Sequence, residues 1–259
     1  MAHATLVQAR STATDAHVAL LARLVLLHLW PGAVGTLVYF VAAPLLIPLG
    51  VPPLLTLLFV VTPVVLALEL GHLLRSRPRG TRGLSLAGVV DLTRGRMPAR
   101  RAALLVLGMV GFSIVAQIVM YPLEGLLANS AFAWLPGWAI RTDVSQYGTY
   151  ARPVLVLTFG LMLALNGVLL PLVEELYFRG YLLPRLAPLG RAAPWLHHVL
   201  FTLYHFWQPW MYLSVLLFAL PLTFVPWKTG NVRLSMIAHC VINSLGTVLT
   251  AALILGSAS

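Results

Sequence analysis

Long apolar runs without a charged side chain are the feature that most restricts how this chain can fold. Leu24–Leu68 contains no Asp, Glu, Lys or Arg, and neither do Ala102–Leu123, Pro153–Val173, Ala192–Trp227 and Leu234–Leu255. A helix that crosses a bilayer needs about 20 consecutive apolar residues. Only 9% of all residues are charged, whereas about a quarter are charged in an average soluble domain. The sequence therefore predicts an all-α, polytopic transmembrane helical bundle.

The number of spans follows from the breaks inside the two longest runs. Leu24–Leu68 is long enough for two helices, and the proline and glycine residues between Pro44 and Pro53 predict a tight turn that separates them. Gln208–Pro209 divides Ala192–Trp227 in the same way. This count predicts seven spans within a range of six to eight, because a re-entrant or broken helix between 192 and 227 would change the number.

The arginines are concentrated between the apolar runs. Segment 75–101 carries eight arginines and a single acid, Asp91. The positive-inside rule places such a segment in the cytoplasm, and Arg10 and Arg23 place the amino terminus there too. We therefore expect the net charge of +10 to serve binding to anionic lipid headgroups. We expect no nucleic acid partner, because the basic segments contain no motif that reads or stacks on bases. The large excess of arginine over lysine indicates a bacterial plasma membrane.

Two adjacent carboxylates follow the charge-free run that ends at Val173. Glu174 and Glu175 supply two of the seven acidic residues of the chain, and Arg179 comes four residues after Glu175. Ionisable groups against a membrane span are costly and indicate a function by default. Residues four apart share a helix face, so Glu175 and Arg179 are expected to pair, which would also suit a simple helix-end anchor.

Two further polar motifs lie in the next apolar runs. Phe201 and His205 are four apart in the middle of the predicted fifth span, so the Phe201 ring is expected to pack beside the imidazole. His239 and Asn243 have the same spacing in the last span. Each motif alone is also compatible with helix packing or with interhelical hydrogen bonds. Together, the three can converge on a cavity between the carboxy-terminal helices.

In this order, Glu-Glu-x-x-x-Arg, Phe-x-x-x-His and His-x-x-x-Asn resemble the signature of the CPBP intramembrane proteases, also called the CAAX-protease and Abi family. The resemblance covers about residues 153–255 and implies hydrolysis of a peptide bond in a membrane-associated protein or peptide. It suggests three parts: an amino-terminal cytoplasmic segment (1–19), amino-terminal transmembrane helices with the basic cytoplasmic loop 75–101 (20–150), and a catalytic transmembrane core (151–259).

The chemistry of these residue types assigns a role to each. A carboxylate in a low-dielectric site is a stronger general base, so Glu174 with His205 is expected to activate a water molecule. His239 and Asn243 would donate hydrogen bonds to the developing oxyanion, and Glu175, held by Arg179, would orient the site. In a metal-dependent alternative, Glu174, His205 and His239 would bind zinc, although no His-Glu-x-x-His motif is present.

Other classes of protein remain open from the sequence. One is a catalytically silent relative that acts as a scaffold or bacteriocin-immunity protein. Another is a transporter or haem protein that uses His205 and His239, although no internal repeat typical of transporters is visible. Away from the three motifs, we expect Glu69 to cap the second helix at the membrane interface. Tyr204, Trp207 and Trp210 either line the site or simply pack, and we prefer packing. Asn166 is expected to hydrogen-bond in the cavity.

Overall fold

The computed structural model describes the backbone of residues 2–93, 95–140 and 144–257. Within these ranges the only strand-like pairing is one antiparallel bridge, between Thr93 and Asn231. The α-helices are α1 (Ala2–Leu46), α2 (Pro53–Arg75), α3 (Ala99–Asn129), α4 (Arg152–Ala164), α5 (Leu170–Glu174), α6 (Leu183–Arg185), α7 (Ala193–Tyr204), α8 (Tyr212–Phe218), α9 (Leu220–Thr229) and α10 (Val232–Ser257).

Shorter helical segments of other types join these helices. The 3-10 segments are Ile47–Leu49, Val144–Thr149, Ala187–Ala192 and Pro209–Met211. Two π-helical segments, Leu165–Leu169 and Glu175–Leu182, make α4, α5 and α6 into one continuous rod. This rod carries the Glu174–Glu175 pair.

Six helical stretches in the described residues are long and apolar enough to cross a membrane. They are Val18–Leu49, Pro53–Arg75, Ala99–Asn129, Arg152–Arg185, Pro209–Thr229 and Val232–Gly256. The predicted all-α, multi-pass fold is therefore confirmed, and the count lies within the predicted range of six to eight. The predicted span that is absent from these six is the fifth, which corresponds to α7. This helix has 12 residues and is therefore about 18 Å long, whereas the hydrocarbon core of a bilayer is about 30 Å thick.

The first helix begins earlier than the first apolar run. Backbone hydrogen bonding extends α1 to Ala2, through the predicted amino-terminal segment 1–19. The side chains of residues 1–17 lie outside the described part of the chain. At its other end, α1 stops where the proline-rich turn was predicted: Gly50 adopts a left-handed conformation (φ 85°) and Pro53 begins α2.

The two basic connections between spans meet at one end of the bundle. The backbone N–H of Val232, at the start of α10, donates to the Leu92 carbonyl oxygen at 2.9 Å, beside the bridge between Thr93 and Asn231. Segment 75–98 therefore packs against the start of α10. The Glu174–Glu175 pair lies within the bundle, because α5 and the π-helical segment after it pack between α2 and α10.

The short helix α7 is held inside the bundle by α1 on one side and by α8 and α9 on the other. Gly32 on α1 makes this approach possible, because a Cβ atom at that position would lie 1.9 Å from the Tyr204 carbonyl oxygen. Nearby, the Tyr177 hydroxyl donates to the Leu27 carbonyl oxygen at 2.8 Å. These contacts fix the end of α7 against α1.

Replacing Gly32 by alanine is expected to separate α1 from α7 and to destabilise the protein by about 1–3 kcal/mol, the usual cost of overpacking. The control is Gly111→Ala, because a Cβ atom at Gly111 meets open space. The measurement is the midpoint of thermal unfolding in detergent. Equal midpoints for the two variants would show that the helices do not approach this closely.

Candidate active site

The two adjacent glutamates lie at the junction of α5 and the π-helical segment Glu175–Leu182. Both are buried: Glu174 is 6% exposed and Glu175 is 0% exposed. Because consecutive residues of a helix point in different directions, the two carboxylates have different surroundings. Glu174 lines a cavity, whereas Glu175 faces Arg179 and His239.

Arg179 is a buried cation with two partners of different kinds. Its Nη1 lies 3.1 Å from Oε1 of Glu175, which is the contact that the four-residue spacing predicted. Its guanidinium carbon lies 3.8 Å from the centroid of the Phe201 ring. Arginine is the cation best suited to such a place, because the guanidinium is weakly hydrated and stacks on aromatic faces.

His239 connects the two glutamates from α10. Its Nδ1 lies 3.0 Å from Oε1 of Glu175, and its Nε2 lies 3.9 Å from Oε2 of Glu174. The shorter contact is a hydrogen bond in which Nδ1–H donates to the carboxylate. That bond fixes the ring so that Nε2 points to Glu174. A carboxylate behind a histidine sets the orientation of the ring in this way in many functional sites.

His205 lies directly after the last residue of α7, which corrects the prediction that it occupies the middle of a span. Its backbone (φ −78°, ψ 49°) leaves the helical conformation and begins the turn to Pro209. Its Nδ1–H donates to the Phe201 carbonyl oxygen at 2.9 Å, so Nε2 is the nitrogen left for other partners. As predicted, the Phe201 ring packs beside the imidazole, with centroids 5.0 Å apart.

Asn243 is tied to the first π-helical segment. Its Nδ2–H donates to the Asn166 carbonyl oxygen at 3.1 Å, and the next residue, Ser244, donates to the Gly167 carbonyl oxygen at 3.3 Å. A π-helical turn changes the hydrogen-bond pattern of an α-helix, and such turns are frequent at functional sites. Asn166 lines the cavity, and the hydrogen bond that it makes there is accepted by its backbone carbonyl oxygen.

Most of the predicted residues line one cavity of about 230 Å³. The motif residues that it brings together are Glu174, Phe201, His205, His239 and Asn243. Arg179 and Glu175 do not line this cavity; they are buried behind Glu174 and His239. The arrangement is therefore layered, with an inner group facing the cavity and a charged pair that holds the inner group in place.

Tyr204 and Glu69 have positions that differ from those preferred from the sequence. Tyr204 was expected to be a packing residue, but it lines the cavity and its hydroxyl donates to Oε1 of Glu174 at 3.3 Å. Glu69 was expected to be an interfacial cap, and this is wrong: it is 0% exposed and lies inside the protein. The rule that an acid within an apolar span indicates a function applies to Glu69 as it does to Glu174 and Glu175, and it is the sequence feature that could have identified Glu69.

The zinc alternative requires three ligands that converge. Among the described residues, no group of three or more His, Cys, Asp or Glu side chains could hold a metal ion. The Nδ1 atoms of His239 and His205 both have partners, so Nε2 is the nitrogen that each ring would offer to a metal ion. As placed here, Glu174, His205 and His239 do not form a group of three converging ligands, and the metal-dependent alternative stays a prediction.

The fold and the site together define an integral, multi-pass membrane protein with buried glutamates and histidines around an internal cavity. Residues 156–245 match the family described as Rce1-like, type II CAAX prenyl endopeptidase Rce1-like. This segment contains all seven motif residues, so the match confirms the resemblance to the CPBP and CAAX-protease family over this part of the chain. No curated protein and no solved structure matches the chain.

Removing the guanidinium of Arg179 is expected to leave the buried Glu175 carboxylate without the cation that offsets its loss of hydration. Breaking a buried ion pair on one side costs about 3–5 kcal/mol, so Arg179→Met should lower the free energy of unfolding by that order. The double variant Glu175→Gln/Arg179→Met should recover part of the loss, because no unpaired charge remains.

The measurement is a double-mutant cycle by denaturant unfolding in detergent. Arg191→Met, at an exposed position, is the control. Additive effects of the two substitutions would contradict the coupling between Glu175 and Arg179.

Proposed function

We propose that this protein is an intramembrane endopeptidase that hydrolyses a peptide bond in a membrane-associated protein or peptide. The observation that carries the proposal is the position of Glu174. Its carboxylate faces a cavity that also holds His205, His239 and Asn243, while the neighbouring Glu175 is occupied by Arg179 and His239. The family match supports the same class of reaction.

In the proposed reaction, Glu174 is the general base. It removes a proton from a water molecule as the water oxygen bonds to the carbonyl carbon of the scissile peptide. His205, which lines the same cavity, assists through Nε2, the nitrogen that does not bond to Phe201. The tetrahedral intermediate then collapses, its carbon–nitrogen bond breaks, and the proton held by Glu174 passes to the departing amine.

His239 and Asn243 are the proposed oxyanion donors. The amide of Asn243 uses one N–H for the Asn166 carbonyl oxygen, and its nitrogen carries a second N–H. The Nε2 of His239 points into the same space from α10, since Nδ1 is held by Glu175. To donate from Nε2 while Nδ1–H bonds to Glu175, the ring must carry a proton on each nitrogen. Donors fixed before the reaction stabilise the developing charge without reorganisation.

The central test is cleavage by wild-type protein and by Glu174→Gln in proteoliposomes. The probes are a farnesylated fluorogenic peptide that ends in a CAAX sequence and the same peptide without the lipid. Loss of a general base typically costs about 10²–10⁴-fold in rate, and we expect that loss in kcat. His205→Ala and His239→Ala should also be strongly impaired.

The matched control is Glu124→Gln, which changes a buried glutamate of α3 that does not line the cavity. It should cleave at the wild-type rate. Full activity in Glu174→Gln would refute the assigned base. If the wild type cleaves neither probe while correctly inserted, the silent-scaffold alternative becomes the better account.

A strong zinc chelator is expected to leave cleavage unchanged, because the proposed water activation uses only side chains of the chain itself. The measurement is the cleavage rate after chelation, with metal analysis of the purified protein. A soluble zinc protease treated in parallel shows that the chelator is effective. Loss of activity that added Zn²⁺ restores would favour the metal-dependent alternative.

A further inference from the structure

A third buried glutamate lies next to the candidate site. Glu69 on α2 is 0% exposed, one helical turn beyond Val65, which lines the cavity. Its carboxyl group interacts electrostatically with Glu174 and Arg179 and lies beside the Tyr204 hydroxyl. Neither of its oxygens has a partner at hydrogen-bonding geometry in the described part of the chain. A carboxyl group in such a place needs a physical explanation.

The charges around the site leave Glu69 without a cation of its own. Glu175 has Arg179 at 3.1 Å and His239 at 3.0 Å, and Glu174 has His239 at 3.9 Å. No ion pair within 4.0 Å involves Glu69 among the described side chains. An isolated ionised carboxylate in a low-dielectric interior is so unfavourable that the group becomes neutral instead.

Tyr204 connects this neutral group to the proposed base. Its hydroxyl donates to Oε1 of Glu174 at 3.3 Å, and Glu69 is the other acidic neighbour of the same hydroxyl. The charged and titratable groups that face Glu69 from the elements packed against it are Glu174, Tyr177, Arg179 and Tyr204. A phenol that donates to one carboxyl group can accept from another.

We propose that Glu69 is a positioning residue: as a neutral carboxylic acid it directs its O–H to the Tyr204 oxygen and so holds the phenol that orients Glu174. The proton stays on Glu69 throughout, and Glu69 does not touch the reacting atoms. The proposal rests on the proposed function, because the group that it orients is Glu174 as the general base.

The protonation of Glu69 is tested without any cleavage. Infrared spectroscopy of the reconstituted protein at neutral pH detects the C=O stretching band of a protonated carboxyl group apart from the bands of carboxylates. We expect a band in the wild type that Glu69→Gln removes and Glu124→Gln leaves in place. If Glu69→Gln removes no such band, Glu69 is ionised and the proposal is overturned.

The positioning role is tested by kcat and KM. Glu69→Gln keeps a neutral donor and should cleave at a rate within about threefold of the wild type, whereas Glu69→Leu should lose about tenfold or more in kcat, the loss expected for one neutral hydrogen bond. Tyr204→Phe should lose a similar factor, and KM should change little. The pH profile of Glu69→Gln should coincide with that of the wild type, because no charge is removed.

These outcomes separate positioning from a structural role and from failure of the proposed function. A merely structural glutamate would lower the unfolding midpoint in Glu69→Leu without a selective loss of kcat, and that pattern would overturn the proposal. A shift of the Glu69→Gln profile to lower pH would show that a negative charge had been removed, which also overturns it. If the wild type cleaves nothing, the proposed function fails, while the infrared result still decides the state of Glu69.

Discussion

The cost of placing charge inside a membrane protein governs this site. Arg179 stabilises the buried Glu175 carboxylate by an ion pair at 3.1 Å. Its own charge is stabilised by the face of the Phe201 ring, whose centroid lies 3.8 Å from the guanidinium carbon. Phe201 in turn packs against His205, so one guanidinium connects two of the three motifs. The third motif joins through His239, which bonds to the same oxygen of Glu175. Without Arg179, Glu175 would lose the ion pair that holds it beside His239. The Phe201 ring that packs against His205 would lose its contact with the guanidinium.

Helix irregularities supply the geometry that regular α-helices would not. The rod that carries the glutamates contains two π-helical segments, one on each side of α5. The first accepts hydrogen bonds from Asn243 and Ser244 at its backbone, which fixes α10 beside it. The helix α7 ends at Tyr204 rather than crossing the bilayer, and this early end brings His205 to the cavity. The site is thus built where local regularity is interrupted, as is common at functional positions.

The sequence predicted the membrane fold, and most of the site residues that it predicted line the cavity, because both predictions depend on strong local signals. Charge-free runs identify spans, and a four-residue spacing places Glu175 beside Arg179 and Phe201 beside His205. What it could not predict depends on contacts between distant segments. The end of α7 lies against α1 at Gly32, a contact that no periodicity in Ala192–Trp227 reveals. The position of Glu69 inside the protein depends on how α2 packs against α5, and Glu69 alone resembled an ordinary helix-end acid.

The contacts of the two adjacent glutamates also bear on which of them acts as the base. Oε1 of Glu175 contacts both Arg179 and His239. Protonation of Glu175 would therefore weaken its ion pair with Arg179. Glu174 accepts a single bond, from Tyr204 at 3.3 Å, and faces His239 at the longer distance of 3.9 Å. Protonation of Glu174 leaves the ion pair between Glu175 and Arg179 intact, and Glu174 lines the cavity in which we propose that the water molecule reacts. These contacts favour our proposal that Glu174 is the base and that Glu175 supports it.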